Sequence, residues 1–102
     1  TPLTPGTRSA TFRRLIEDQW LPAVNRHQPD LIFISAGFDA HKDDPLAQIE
    51  LEVDDYRWIT QLIKDLAEQH CGGRIISTLE GGYHLKALGD CVRVHLETLI
   101  ES

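Results

Sequence analysis

Between Ser9 and Val24, apolar residues return at steps of three and four: Phe12, Leu15, Ile16, Trp20, Ala23 and Val24. That is the stripe of an amphipathic helix, and Ser9 carries a hydroxyl suited to its N-cap. Pro22 lies inside the pattern and leaves the carbonyl of Asp18 without its helical partner, so a kink or an early stop is expected there. Pro29 fixes the exit, because the residue before a proline, here Gln28, is pushed out of the helical region. Ahead of this helix, Thr1 to Gly6 holds two prolines and a glycine and reads as an extended lead-in with no element of its own.

The period changes at Leu31. Leu31-Ile32-Phe33-Ile34-Ser35-Ala36 is a continuous apolar run, too short for a typical helix and ended by Gly37, which is the pattern of a strand covered on both faces. A long loop from Gly37 to about Glu52 follows. Asp54 or Asp55 then opens a second helix, with Ile59, Leu62, Ile63, Leu66, Ala67 and His70 on one face and Gly72-Gly73 suited to end it. Arg74 to Leu79 reads as a second strand, and Leu85, Leu88, Val92, Leu96 and Leu99 mark a third helix. The order is α-β-α-β-α. A strand, a helix and a strand in succession form a parallel crossover, so the loops after both strands open on the same edge. Adjacent strands would place those loops about 5 Å apart, and one intervening strand about 10 Å apart. In open α/β sheets that edge is where ligands gather.

Composition narrows the function classes. With 16 acidic and 10 basic residues and a net charge of −6, the chain lacks the basic footprint of a nucleic-acid binder, so no direct nucleic-acid partner is expected. An apolar share of 41% over 102 residues suits one small domain. No run approaches a membrane span and no stretch has the order of a signal peptide, so the expectation is an intracellular, cytoplasmic chain without a membrane partner. Cys71 and Cys91 are too few for a disulfide scaffold and lie near apolar helical positions, where a buried structural thiol is the ordinary reading. The sequence begins at Thr1 and contains no methionine, and is therefore expected to be a piece of something longer.

The candidate chemistry sits in the two loops that follow the strands, Ser35-Ala36-Gly37-Phe38-Asp39-Ala40-His41-Lys42-Asp43-Asp44-Pro45-Leu46 and Glu80-Gly81-Gly82-Tyr83. Taken residue by residue, Asp39 could cap a turn, and Tyr83 could be a packing residue with a wet hydroxyl. His41 reads as a loop residue, because a carboxylate and an imidazole two apart in an extended loop tend to point in opposite directions. His70, His84 and His95 read as helix-face or helix-end residues with no metal-ligand spacing, and Asp54-Asp55 suit a helix N-terminus. Gly81-Gly82 ahead of the third helix leave an anion-binding module open, though without a P-loop or a full GxGxxG pattern.

Taken together, Pro29-Asp30-Leu31, the Ser35 to His41 segment, Asp44-Pro45-Leu46 and Glu80-Gly81-Gly82-Tyr83 resemble the C-terminal third of the zinc-dependent histone deacetylase family, including its bacterial deacetylase-like and acetylpolyamine amidohydrolase members. The resemblance covers nearly the whole chain. Phe38 and Glu80 look more like the class II and bacterial branches than class I. It implies an arginase-like, three-layer α/β fold and an amidohydrolase that removes acetyl groups from lysine, in histone or another protein, or from polyamine nitrogen. Asp39 then matches one of three protein ligands of a single catalytic Zn2+, and Tyr83 the phenol that donates a hydrogen bond to the developing oxyanion. Gly81 and Gly82 would let the backbone approach the substrate channel, Leu46 matches an apolar residue lining the acyl-lysine tunnel, and Asp44 and Pro45 hold that loop in shape.

The family's other two zinc ligands and its histidine pair belong to an upstream region, and no part of residues 1–102 carries those motifs. The chain is thus expected to be a single C-terminal part of a catalytic domain, inactive when isolated. Its exposed strand edges imply association with the rest of that domain or with a second copy. The alternative is a non-catalytic α/β interaction or anion-binding module.

Overall fold

The computed structural model describes residues 1–101. It contains α1 (Ser9–Leu15), a π-helical turn (Ile16–Trp20), α2 (Leu21–His27), β1 (Ile32–Ala36), α3 (Val53–Cys71), β2 (Ile75–Leu79) and α4 (Leu85–Ile100). The expected α/β class and element order hold. β1 and β2 are immediate parallel neighbours, in a register that runs from Ile32↔Ile75 to Ala36↔Leu79. Their C-terminal ends, and the loops that leave them, therefore lie side by side.

Pro22 does not stop the first helix. The chain widens upstream into the π turn, where the Leu21 N–H reaches the Ile16 carbonyl five residues back, and helix resumes through His27. Absorbing an irregular residue in this way is a known response to a break in the helical ladder. Gln28 then leaves the helix in the left-handed region, with φ 53°. Ser9 is not the N-cap. Arg8 holds that position without a side-chain cap, and the Ser9 hydroxyl turns instead to Asp55.

α3 begins one residue before the expected opening. Glu52 is its N-cap, and Glu52 and Asp55 cap each other's backbone N–H groups. Asp55 also accepts from the Ser9 hydroxyl and from Arg13 Nε at 2.9 Å, so this fully buried carboxylate latches α1 onto α3. The helix ends at Gly72 and Gly73, both at positive φ, as the sequence implied.

α4 is rotated relative to its apolar stripe. Ala87, Cys91, Val94, His95 and Thr98 face inward, while Leu85 is 81% and Leu96 50% exposed. Small side chains on the inner face let α4 pack closely on α3, and its polar members are satisfied there. Thr98 Oγ1 donates to the Val94 carbonyl at 2.6 Å, and His95 lies between Thr60 and Ser77.

The core gathers Ala36, Phe38, Ile49, Leu51, Tyr56, Cys91 and Val94, with Ile34 and Leu88 packed against it. β1 is covered on one face only, contrary to the reading of its apolar run. Phe33 is 65% and its partner Ile76 45% exposed, and among the described residues nothing buries that face. The lead-in segment also does more than enter the fold. Gly6 N–H donates to the Gln48 carbonyl and Glu50 N–H to the Thr7 carbonyl, lacing the long loop to the N-terminus. Among the described residues no helix is long and apolar enough to cross a membrane.

Candidate functional site

Because β1 and β2 are paired, the two motif loops leave the sheet together and are locked to each other at once. Glu80 N–H donates to the Ala36 carbonyl at 3.0 Å, and Phe38 N–H to the Gly81 carbonyl at 2.7 Å. The half-buried Asp39 carboxylate then lies flat against the backbone of the facing loop. A Cβ placed on Gly81 would stand 3.3 Å from both Cγ and Oδ1 of Asp39, and one on Gly37 would stand 3.2 Å from Oδ1. Glycine at these two positions leaves the space that the carboxylate occupies. Gly82 is required for a different reason, since its φ of +138° is a conformation that residues with a Cβ rarely adopt.

The loop beyond Asp39 folds back on rigid supports. Leu51 N–H donates to the Ala40 carbonyl, and Lys42 N–H to the Leu51 carbonyl. His41 is 5% exposed; its Nδ1 accepts from Asp43 N–H at 3.1 Å and its carbonyl from Asp44 N–H at 3.0 Å. It shapes the loop, as the sequence suggested. Asp44 accepts Leu46 N–H on one oxygen and Tyr83 N–H on the other. Leu46 and Tyr83 themselves stand out from the surface, 63% and 56% exposed, and Pro45 is exposed beside them. The structure thus places Asp39, Gly81, Gly82, Tyr83, Asp44 and Leu46 at one end of the sheet.

The remaining histidines are occupied elsewhere. His70 Nε2 pairs with Asn25, and His84 caps α4 by accepting Ala87 N–H at 3.2 Å. That cap, together with the Asp44 carboxylate on Tyr83 N–H, fills the start of α4 with acceptors and disfavours an anion there. Cys71 and Cys91 are free and buried; burial pushes the Cys91 thiol up to about 12, far from a reactive thiolate. Among the described residues no group of three or more His, Cys, Asp or Glu is placed to hold a metal ion.

The histone deacetylase domain model matches residues 1–99. The chain belongs to the histone deacetylase family. It is 46% identical to type-2 histone deacetylase 2 of Dictyostelium discoideum over 97% of its length, which is 6% of that protein. It is 42% identical to the histone deacetylase-like amidohydrolase of Pseudomonas aeruginosa, over 80% of this chain and 22% of that one. Among solved structures, the HDA15 HD domain superposes with a TM-score of 0.86 at 31% identity, covering 95% of this chain and 26% of that one. Clr3 superposes at 0.84 and 25% identity, over 94% of this chain and 16% of that one. This chain therefore spans a minor part of the relatives it matches.

Two contributors to the site's support escaped the sequence. Asp55 lies in the first turn of α3, as expected of a helix N-terminus, and in addition joins α3 to α1; the pairing with Arg13, 42 residues away, leaves no local signature. His95 lies on a face of α4, as expected, but that face is the buried one. Thr60 Oγ1 donates to the Tyr56 carbonyl, so it accepts from His95 Nδ1–H, and Nε2 then accepts from Ser77. The same imidazole meets the ring of Phe38 edge-on at 5.7 Å, directly under the residue that precedes Asp39.

Proposed function

We propose that this chain is the C-terminal part of a zinc-dependent amidohydrolase that removes acetyl groups from lysine, in histone or another protein, or from a polyamine nitrogen. The observation that carries this reading is the packing of the Asp39 carboxylate on Gly81, which joins a metal-type donor to the Tyr83 loop at the ends of two paired strands. A carboxylate is an ordinary zinc ligand, and half-buried Asp39 keeps its oxygens at the open end of the sheet. Zinc, when bound, polarises the amide carbonyl and makes a bound water nucleophilic near neutral pH.

The chain's own residues do the rest. Tyr83 donates its phenolic hydrogen to the carbonyl oxygen as negative charge develops there, and its 56% exposure leaves it open to a substrate. Gly81 leaves the Asp39 carboxylate its space and Gly82 lets the backbone turn tightly beneath Tyr83, Leu46 offers an apolar wall to the methylenes of an acyl-lysine, and Asp44 and Pro45 hold that wall's loop.

Catalytic zinc sites take three protein ligands. Asp39 alone does not provide them, so the isolated chain is inactive and works joined to the remainder of its domain. The uncovered Phe33 and Ile76 face, and a recess of about 600 Å³ between α2 and β1 lined by Trp20, Val24, Leu31 and Phe33, suit that packing.

The test is hydrolysis of an acetyl-lysine amide by the full-length protein. Turnover abolished by a zinc chelator and by Asp39→Ala, with none from residues 1–102 alone, is the expected result. Turnover by the 102-residue chain, or by the Asp39→Ala protein, would overturn the reading.

A further inference from the structure

We infer that Asp44 is the positioning residue for Tyr83: its carboxylate ties the loop after β1 to the loop after β2 and so sets the backbone from which the phenol projects. This rests on the role proposed for Tyr83. Asp44 is 7% exposed, and its two oxygens are divided between two loops. Oδ1 accepts Leu46 N–H at 2.9 Å, within its own loop, while Oδ2 accepts Tyr83 N–H at 2.7 Å across 39 residues.

Tyr83 needs such a hold. It follows two glycines, whose missing side chains anchor nothing, and its own ring is 56% exposed, so core packing does not set its direction. Its amide is the fixed point. The group that fixes it stands on a firm base, because the Asp44 N–H is held by buried His41, and the strand-like contacts Ala40–Leu51 and Lys42–Leu51 hold His41 in turn.

The chemistry also calls for a carboxylate. Two N–H donors converge on one side chain, and only an ionised carboxyl presents an acceptor to each; an amide would turn its NH2 toward one of them. Hydrogen bonds to the charged form are shorter and stronger than neutral ones. Burial alone would raise the Asp44 carboxyl, yet the Leu46, Tyr83 and His84 amides outweigh it and hold the group below its usual value. Asp44 thus stays an anion through the neutral range. One group then sets both the apolar wall at Leu46 and the donor at Tyr83, so the two cannot drift apart.

The experiment uses the full-length zinc-loaded protein and has two parts. In the wild type, trans-hydrogen-bond scalar couplings from the Tyr83 and Leu46 amide nitrogens to the Asp44 carboxylate carbon are expected; a coupling from Leu46 alone would show a loop held only to itself and overturn the clamp. In kinetics, Asp44→Asn should lower kcat about tenfold or more. In a Tyr83→Phe background the same change should lower kcat less than about twofold, because the effect of Asp44 on kcat runs through the Tyr83 phenol, while its hold on the Leu46 wall is read in KM. Equal losses in both backgrounds would overturn the positioning role. A wild-type protein with no turnover would contradict the enzymatic reading instead, and the couplings would still decide the clamp.

Discussion

Under the proposed zinc role of Asp39, Gly81→Ala separates metal affinity from the stability of the fold. Gly81 is outside the positive-φ region, so alanine meets no left-handed strain there, and the stiffer unfolded chain contributes about 0.4–1 kcal/mol of stabilisation. The new Cβ would nevertheless stand 3.3 Å from Asp39 Cγ and Oδ1 and 3.5 Å from Oδ2. The carboxylate must then retreat by a few tenths of an ångström from its seat. Displacing a ligand's support by that much weakens metal binding by roughly 10- to 100-fold, or about 1.4–2.7 kcal/mol. In the full-length protein, chelator competition should show this loss while the thermal midpoint of the metal-free form stays at or above wild type. Gly82→Ala is the control. Its φ of +138° imposes a strain of about 1–3 kcal/mol, and its Cβ would meet Leu88 Cδ1 at 2.7 Å, so the metal-free midpoint should fall. Unchanged zinc affinity in Gly81→Ala, or equal destabilisation by the two variants, would refute the reasoning.

Asp55→Ala removes the latch between α1 and α3 and leaves Glu52 N–H without its partner; a loss of about 2–3 kcal/mol in urea unfolding is expected, and a loss within 0.5 kcal/mol, roughly the level of a surface change, would contradict it. His95 gives the fold a pH dependence. Burial lowers its pKa in the fold, so the unfolded chain takes up a proton first, and the stability present above about pH 6.5 is lost as pH falls from there through the folded value. The urea midpoint should therefore drop between pH 7.5 and pH 5.5, and His95→Gln should flatten that drop; an equal slope in both proteins would remove the assignment.

How far the sequence could be read follows from what each element depends on. β1, α3 and β2 were legible because a short β-branched run, a long amphipathic stripe and paired glycines are local signals, and the crossover rule then brings Asp39 and Tyr83 to one edge. The rotation of α4 was not, because a stripe of leucines outranks alanine, cysteine and threonine by hydrophobicity, whereas close packing against α3 and satisfied hydroxyls chose the small residues. The uncovered face of β1 is not legible for a related reason: an apolar run reports what the strand is built to bury, and Phe33 stays open in this chain. At the site, the loop positions were legible but their coupling was not. The bond from Tyr83 N–H to Asp44 and the contact of Asp39 with Gly81 both span about 40 residues and exist only once the strands pair.

The most direct test of the account is the turnover of an acetyl-lysine amide by full-length Tyr83→Phe, measured with bound zinc quantified in the same preparation. Loss of one oxyanion donor predicts a fall in kcat of about 100-fold or more, roughly 3 kcal/mol, with zinc content and KM close to wild type. Near wild-type kcat in a zinc-loaded protein would contradict it, and would leave Tyr83 as a rim residue and the convergence of the two loops without a catalytic purpose.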